Sequence, residues 1–204
     1  MNEYSLKYKI MARNIDDTKI ERIKTAALEM VVQRGFGGAS ISEIAKLAGV
    51  AEGYLYRHYK GKSDLVNDLL FSNLNELIDK LEKLLDSNYS TKDIFEQLIR
   101  LLFNLANHQP ERIKFLYVLM HDYNFKIQEE QRERIFKLCT RVKEKGQTSG
   151  EMNENIDEEE IYLLAVVYPI QFINLRLKSF FNKSLLSEIE IEKVLKICLN
   201  LIKK

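Results

Sequence analysis

Along this chain apolar residues return every three or four positions with polar residues between them, and no stretch of any length alternates apolar with polar. That rhythm predicts an all-α protein. The first helix is expected over residues 16–34, where Ile20, Ile23, Ala27, Met30 and Val31 form one stripe. Asp16 and Asp17 suit its positive N-terminal end, and Gly35 stops it, leaving Phe36 to plug a small core. Ser40 and Glu43 then stand at capping-box spacing around Ile41, Ile44, Ala45 and Ala48, a short apolar stripe that Gly49 closes. Another short helix is expected over residues 51–59. Two brief helices about a tight glycine turn make a helix-turn-helix, whose second member enters a major groove.

Longer patterns follow. Residues 63–85 keep helical spacing throughout, about 35 Å of helix, long enough to serve as a rigid connector and lever between two domains. Further helices are expected over residues 91–107, 110–123, 126–145, 157–181 and 187–203, with Pro110 well placed in a first turn. Residues 146–155, which begin with Gly146 and include Gly150, read as a loop, and residues 1–14 as a flexible basic arm. The last two helices differ from the rest. Residues 161–173 are apolar nearly all round, and the final helix spreads Ile189, Ile191, Val194, Leu195, Ile197, Leu199 and Leu201 over a wide arc. One packed face cannot bury so much, so one side is expected against the chain's own core and the other against a second subunit. Pro169 falls inside this pattern and is expected to kink it.

The tail of the second short helix narrows the reading. Leu55-Tyr56-Arg57-His58-Tyr59-Lys60-Gly61-Lys62-Ser63-Asp64-Leu65 closely resembles the recognition-helix signature of the TetR family of bacterial transcriptional regulators. The resemblance reaches back through Ile44-Ala45 and Gly49-Val50 to Gly35-Phe36, covering roughly residues 15–70. It implies a three-helix DNA-binding domain over residues 15–62 and a helical effector-binding and dimerisation domain over residues 63–204. It also implies that the last two helices build a homodimer interface. By the same resemblance Ser42, Gly53, Tyr54, Tyr56, His58 and Lys62 stand at DNA-contacting positions, the lysine and the tyrosine hydroxyls on phosphate and the early helix residues on bases. Glu52 and Arg57 complete the candidate set.

Two positions depart from the commoner family pattern. Glu52 suits a cytosine amino group and Tyr54 a thymine methyl, while a helix cap or a solvent-facing side chain is the alternative for each. His58 has an alternative as a wedge between core and backbone. On an ideal wheel Glu52, Gly53, Tyr56 and Lys60 share one side, whereas Ala51, Leu55 and Tyr59 should face the core. A glycine inside a helix costs about 1 kcal/mol relative to alanine. Close approach of the backbone to DNA accounts for Gly53.

Composition adds bounds. A net charge of +1 excludes a polycation, but residues 1–65 carry 11 Lys/Arg and 8 Asp/Glu, giving +3, and the remainder 20 and 22, giving −2. A mildly basic head on a slightly acidic body suits a protein that meets phosphates at one end. Cys139 and Cys198 are far apart and are expected as reduced, buried thiols of a cytoplasmic protein. No signal peptide or membrane span is expected, since residues 161–173 are too short and hold Pro169 and Gln171.

Nothing in the sequence reads as catalytic. There is no His-Glu-x-x-His, no Glu-x-x-His and no nucleophile elbow, and His58, His108 and His121 stand apart. No enzyme activity, cofactor or metal is therefore expected. Of the ten Phe and ten Tyr, 14 lie beyond residue 70, enough to line an apolar cavity between helices. Phe103, Tyr117, His121, Tyr168, Phe172 and Arg176 are the candidates for a small-molecule effector pocket. The expectation is a homodimeric repressor, bound to a palindromic double-stranded DNA operator and released by an effector.

Overall fold

The computed structural model describes residues 3–183 and 186–203, with side chains from Asp17 onward. Among these residues every regular element is helical: α1 (Glu3–Gly38), α2 (Ile41–Ala48), α3 (Glu52–His58), α4 (Lys62–Leu85), α5 (Thr91–His108), α6 (Pro110–His121), α7 (Glu129–Thr148), α8 (Glu158–Tyr162), a π-helical turn (Leu163–Val167), α9 (Tyr168–Leu177) and α10 (Glu188–Ile202). They divide into two compact units, Met1–Leu70 with Val118–Lys126, and Phe71–Tyr117 with Ile127–Lys204.

In the first unit Ile23, Ala27 and Val31 of α1, Ile44 of α2, Leu55 of α3, and Leu65 and Val66 of α4 are sealed from solvent. The helix ends are set locally. Ser40 Oγ accepts from the Glu43 amide at 3.2 Å and donates to Glu43 Oε2 at 2.8 Å, so the carboxylate reaches the hydroxyl of its cap. At the other end Gly49 is left-handed at φ 64°, and the amides of Gly49 and Val50 close on Lys46 O and Ala45 O. Gly35, at φ 74° and ψ 169°, breaks α1 as expected of it, and Phe36 is buried beyond the break. The freed amides of Phe36 and Gly37 donate to Asp122 Oδ2 at 3.0 and 3.3 Å, and Phe125 meets Phe36 edge-on at 5.2 Å. Toward the N-terminus the expected flexible arm is replaced by helix, since α1 is already formed at Glu3.

In the second unit α5 is the central member. Its buried face, Ile94, Phe95, Leu98, Ile99, Leu102 and Phe103, packs on α9 and α10. α7 runs on through the expected loop as far as Thr148. Gly146 is inside it because a Cβ there would sit 2.9 Å from Met152 Cβ and 3.0 Å from Thr91 Oγ1. Packing, not turn formation, selects that glycine. Helix α8, the π turn and α9 run as one helix over Glu158–Leu177, long and apolar enough by length and composition to cross a membrane, contrary to the shorter run expected. In the structure Ile161, Ala165, Ile170 and Ile173 of that helix are buried in the unit's core.

Pro169 is accommodated by the π turn. Tyr168 donates to Leu163 O, five residues back, and a residue with an N–H at 169 would reach Leu164 O in the same register. Proline has none, and Cys198 Sγ donates to Leu164 O at 3.1 Å instead. Cys139 and Cys198 are both free and buried, and burial pushes their thiols up to about 11 and about 12. Neither is a thiolate near neutral pH.

Candidate nucleic-acid interface

Helix α3 has only seven residues, and its orientation comes from two inward side chains. Leu55 is fully buried, and Tyr59, just past the helix, is buried with its hydroxyl donating to Asp68 Oδ2 at 2.9 Å. Burial first, and then Asp68, push that phenol well above its ordinary range. Asp68 also pairs with Lys24 at 3.1 Å, tying α4 to α1. The opposite rim is polar and open. Glu52, Gly53, Tyr56, Arg57 and His58 are exposed, Tyr56 at 56%, and Ser42 is exposed on the first turn of α2. Nothing lies within 4 Å of where a Gly53 Cβ would be, so the chain itself does not demand glycine there.

Three residues sit otherwise than the sequence reading expected. Ala51 is exposed, not part of the core. Tyr54 is buried, with the His58 ring at 4.8 Å and the cationic groups of Lys19 and Arg57 at 5.1 and 5.6 Å from its ring centroid. Its ring is thus an inner shelf for cations, an arrangement worth about 0.5–1 kcal/mol per cation at exposed sites. Lys62 is turned inward as well. Its ammonium donates to Phe36 O at 2.7 Å, Ala39 O at 2.8 Å and Gly37 O at 3.4 Å, and lies 4.5 Å over the Phe36 ring. A lysine has three donors, and the α1–α2 connection takes all of them.

Lys19 is a residue that sequence reasoning missed. It belongs to α1, one turn before the predicted core stripe becomes dense, and only the fold brings it over Tyr54. Arg22, also on α1, reaches Gly49 O at 3.5 Å. The rim therefore has Lys19 and Arg22 on its α1 side and the carboxylate of Glu52 at the start of α3.

Of the six effector-pocket candidates, four come together in the second unit. Phe172 stands 6.1 Å from Phe103 and 6.5 Å from Tyr168, with the Arg176 guanidinium 4.8 Å over its ring. Tyr117 is paired elsewhere, under the Lys178 ammonium at 5.3 Å. His121 is not in that unit at all: it is exposed at the end of α6, whose last turn belongs to the first unit. An open groove of about 580 Å³ in the second unit is lined by Leu85, Tyr89, Thr91, Arg141, Lys145 and Glu151 among others, and by none of the six. Among the described residues no group of three His, Cys, Asp or Glu is placed to hold a metal ion.

Comparison with known proteins agrees with this geometry. Residues 23–69 match the family model of bacterial regulatory proteins of the tetR family, the segment that contains α2, α3 and their supports. The chain is similar to the fatty acid metabolism regulator protein of Bacillus subtilis, 24% identical over 142 residues that cover 68% of this chain and 73% of that protein. A solved TetR family transcription regulator from Marinobacter aquaeolei shares the fold at a TM-score of 0.75 and 20% identity, over 93% of this chain and 98% of that one. The FadR regulator of Bacillus subtilis, solved in complex with stearoyl-CoA, shares it at a TM-score of 0.67 and 20% identity, over 89% and 98%. With the family segment laid on the helix-turn-helix, the chain carries over residues 23–69 the DNA-binding domain of the tetR family of bacterial regulatory proteins, and its all-helical body shares the fold of solved regulators of that family.

Proposed function

We propose that this chain is a cytoplasmic homodimeric repressor that reads a palindromic operator through α3 and leaves it when a small effector binds the body. Residues 15–62 form the DNA-binding domain on this reading, and residues 63–204 the effector-binding and dimerisation domain. The observation that carries it is the exposed rim of α3 with cations held over Tyr54. Glu52 and Gly53 then face base edges, and Ser42, Tyr56, Arg57, His58 and Lys19 the phosphates. Tyr54 and Lys62 act from behind, the first by holding two cations and the second by fixing the α1–α2 connection.

Dimerisation is supported by what the last two helices leave uncovered. Ile189, Ile197 and Leu201 are 61%, 44% and 58% exposed on one side of α10, and Leu163 is exposed before α9. Two α3 helices of such a dimer would enter successive major grooves about 34–36 Å apart. The effector reading draws on the relatives named for fatty acid metabolism and on the one solved with stearoyl-CoA, which make acyl compounds the first class to assay.

The test is selection of bound duplexes from a random pool, followed by salt titration on the winner. A palindrome with half-sites one helical turn apart, and an affinity that falls steeply with salt, is the expected result. Recovery of unrelated sequences, or binding indifferent to salt, would refute the proposal.

A further inference from the structure

Two arginines of the body are treated in opposite ways. Arg100, with a side chain 36% exposed, is fully paired: its Nε donates to Glu96 Oε1 at 2.9 Å, one terminal nitrogen to Glu188 Oε2 at 2.7 Å and the other to Glu188 Oε1. Arg176, only 11% exposed, donates no hydrogen bond to any described residue. Its Nε is sealed from solvent without a partner. The nearest carboxylate oxygen, Glu190 Oε1, stands 3.9 Å away, beyond hydrogen-bond reach. The other oxygen of Glu190 is committed to its own helix cap, taking Ser187 Oγ at 2.5 Å and Ser187 N at 3.3 Å. The arginine that water could have served has a carboxylate on each of its nitrogens, and the one that water can barely reach has none at hydrogen-bond distance. A buried unpaired donor is rare enough to need a cause.

We propose that Arg176 anchors the anionic head of the effector, a carboxylate or phosphate carried on an apolar body that lies against Phe172 and Tyr168. This rests on the reading of the chain as an effector-responsive regulator and names the class of effector. A planar guanidinium presents its donors as a fork that matches two oxygens of a carboxylate or phosphate at once. Here the guanidinium already stands over the Phe172 ring, and Phe103, 6.1 Å from Phe172, is fully buried and backs that shelf. Glu190 balances the charge of the empty site from a distance that leaves the fork unoccupied. The same carboxylate repels a bound anion, so it sets the threshold of affinity. A neutral molecule of equal apolar surface would leave the guanidinium without a charged partner at hydrogen-bond distance.

Dodecanoate, dodecyl phosphate and dodecanol, each below its micellar concentration, separate the chemistries in a calorimetric titration of the full chain. The expected result is tighter binding of one or both anions than of the alcohol, by roughly tenfold or more as a charge-assisted pair predicts. Which of the two anions is preferred distinguishes an acid head from a phosphate head. In Arg176→Gln that preference disappears. Glu190→Gln keeps the capping box, because glutamine serves at that position as well as glutamate, and removes only the charge. It should raise anion affinity several-fold, a gain that damage to the fold cannot imitate. Equal affinity for all three probes, an anion preference that survives Arg176→Gln, no binding of any probe, or a Glu190→Gln variant with lower melting temperature and unchanged anion affinity would each overturn the proposal. Duplex binding by the same proteins is read separately, so failure of the anchor does not pass for failure of the regulator reading.

Discussion

Within each of the two compact units the contacts that set its helices differ in emphasis. In the unit that carries α2 and α3, side chains meet backbone: Ser40 caps α2, Lys62 covers three carbonyls, and Asp122 receives two amides at the break in α1. In the other unit guanidinium–carboxylate pairs join one long helix to another. Arg134 of α7 reaches Asp79 and Glu82 of α4, and Arg100 of α5 reaches Glu188 of α10, over the broad apolar face of α5. Helices of eight and seven residues are too short to be stable by themselves and offer little apolar face. Directional contacts to the backbone must fix their angle. Helices of 18 or 20 residues are fixed by area, and their ion pairs contribute little each. The small unit therefore depends on particular residues, and the large one on a pattern many sequences satisfy.

Equal truncations in the two cores test this most strongly. Leu55 and Ile99 are both fully buried, and replacing either with alanine should cost about 2–5 kcal/mol in denaturant unfolding. Their effects on DNA should differ. Leu55→Ala removes the one side chain of α3 that is wholly inside, so duplex affinity should be lost even where the protein stays folded. Ile99→Ala should leave the affinity of the folded fraction near wild type. Equal losses of DNA binding would break the distinction.

The same contrast explains what could be read from the sequence. The caps at Ser40 and Gly49, the stop at Gly35 and the inward Leu55 are single-residue signals with local causes, and each is where it was expected. Helix existence in the body was equally readable, because its apolar stripes are long. What could not be read depends on residues distant in sequence. Gly146 looked like a turn until Thr91 and Met152 were placed against it. Lys62 looked like a phosphate ligand until the carbonyls 23 to 26 residues earlier were brought to it. In the sequence the pocket candidates share residue type and no local signal; four of the six are neighbours, while His121 falls in the other unit.

Lys62→Met sharpens the comparison at the next scale. It leaves carbonyls of the α1–α2 connection without their cation, a loss of about 1–3 kcal/mol if they stay shielded from water. Duplex affinity should fall on every sequence. A lysine acting only through the fold leaves the slope of log affinity against log salt unchanged, whereas loss of a phosphate contact reduces it by about one. A reduced slope would return Lys62 to the DNA surface.

Gly53→Ala should push stability and binding in opposite directions. The position is helical and exposed, and a methyl group there meets nothing within 4 Å. The folded protein should gain about 1 kcal/mol from the better helix former. If the backbone of α3 comes close to bases, the same methyl group should weaken operator binding. A variant that is more stable and binds unchanged would show that the α3 backbone at Gly53 stays clear of DNA.

The smallest effect concerns a charge. The Asn124 amide first, and then those of Gly37 and Phe36, hold the Asp122 carboxyl below its ordinary range. A group whose folded-state pKa is depressed contributes stability that is present above its unfolded value, near 3.9 for aspartate, and is lost as pH falls through the folded value. The difference in melting temperature between wild type and Asp122→Asn should therefore be constant from neutral pH to about pH 5 and close below that. Asparagine keeps one carbonyl oxygen of the same shape, so whatever difference remains in acid measures geometry and not charge. A gap that stays open down to about pH 3 would mean that the break in α1 is held by the form of residue 122, and that the unit's dependence on particular residues does not extend to their ionisation.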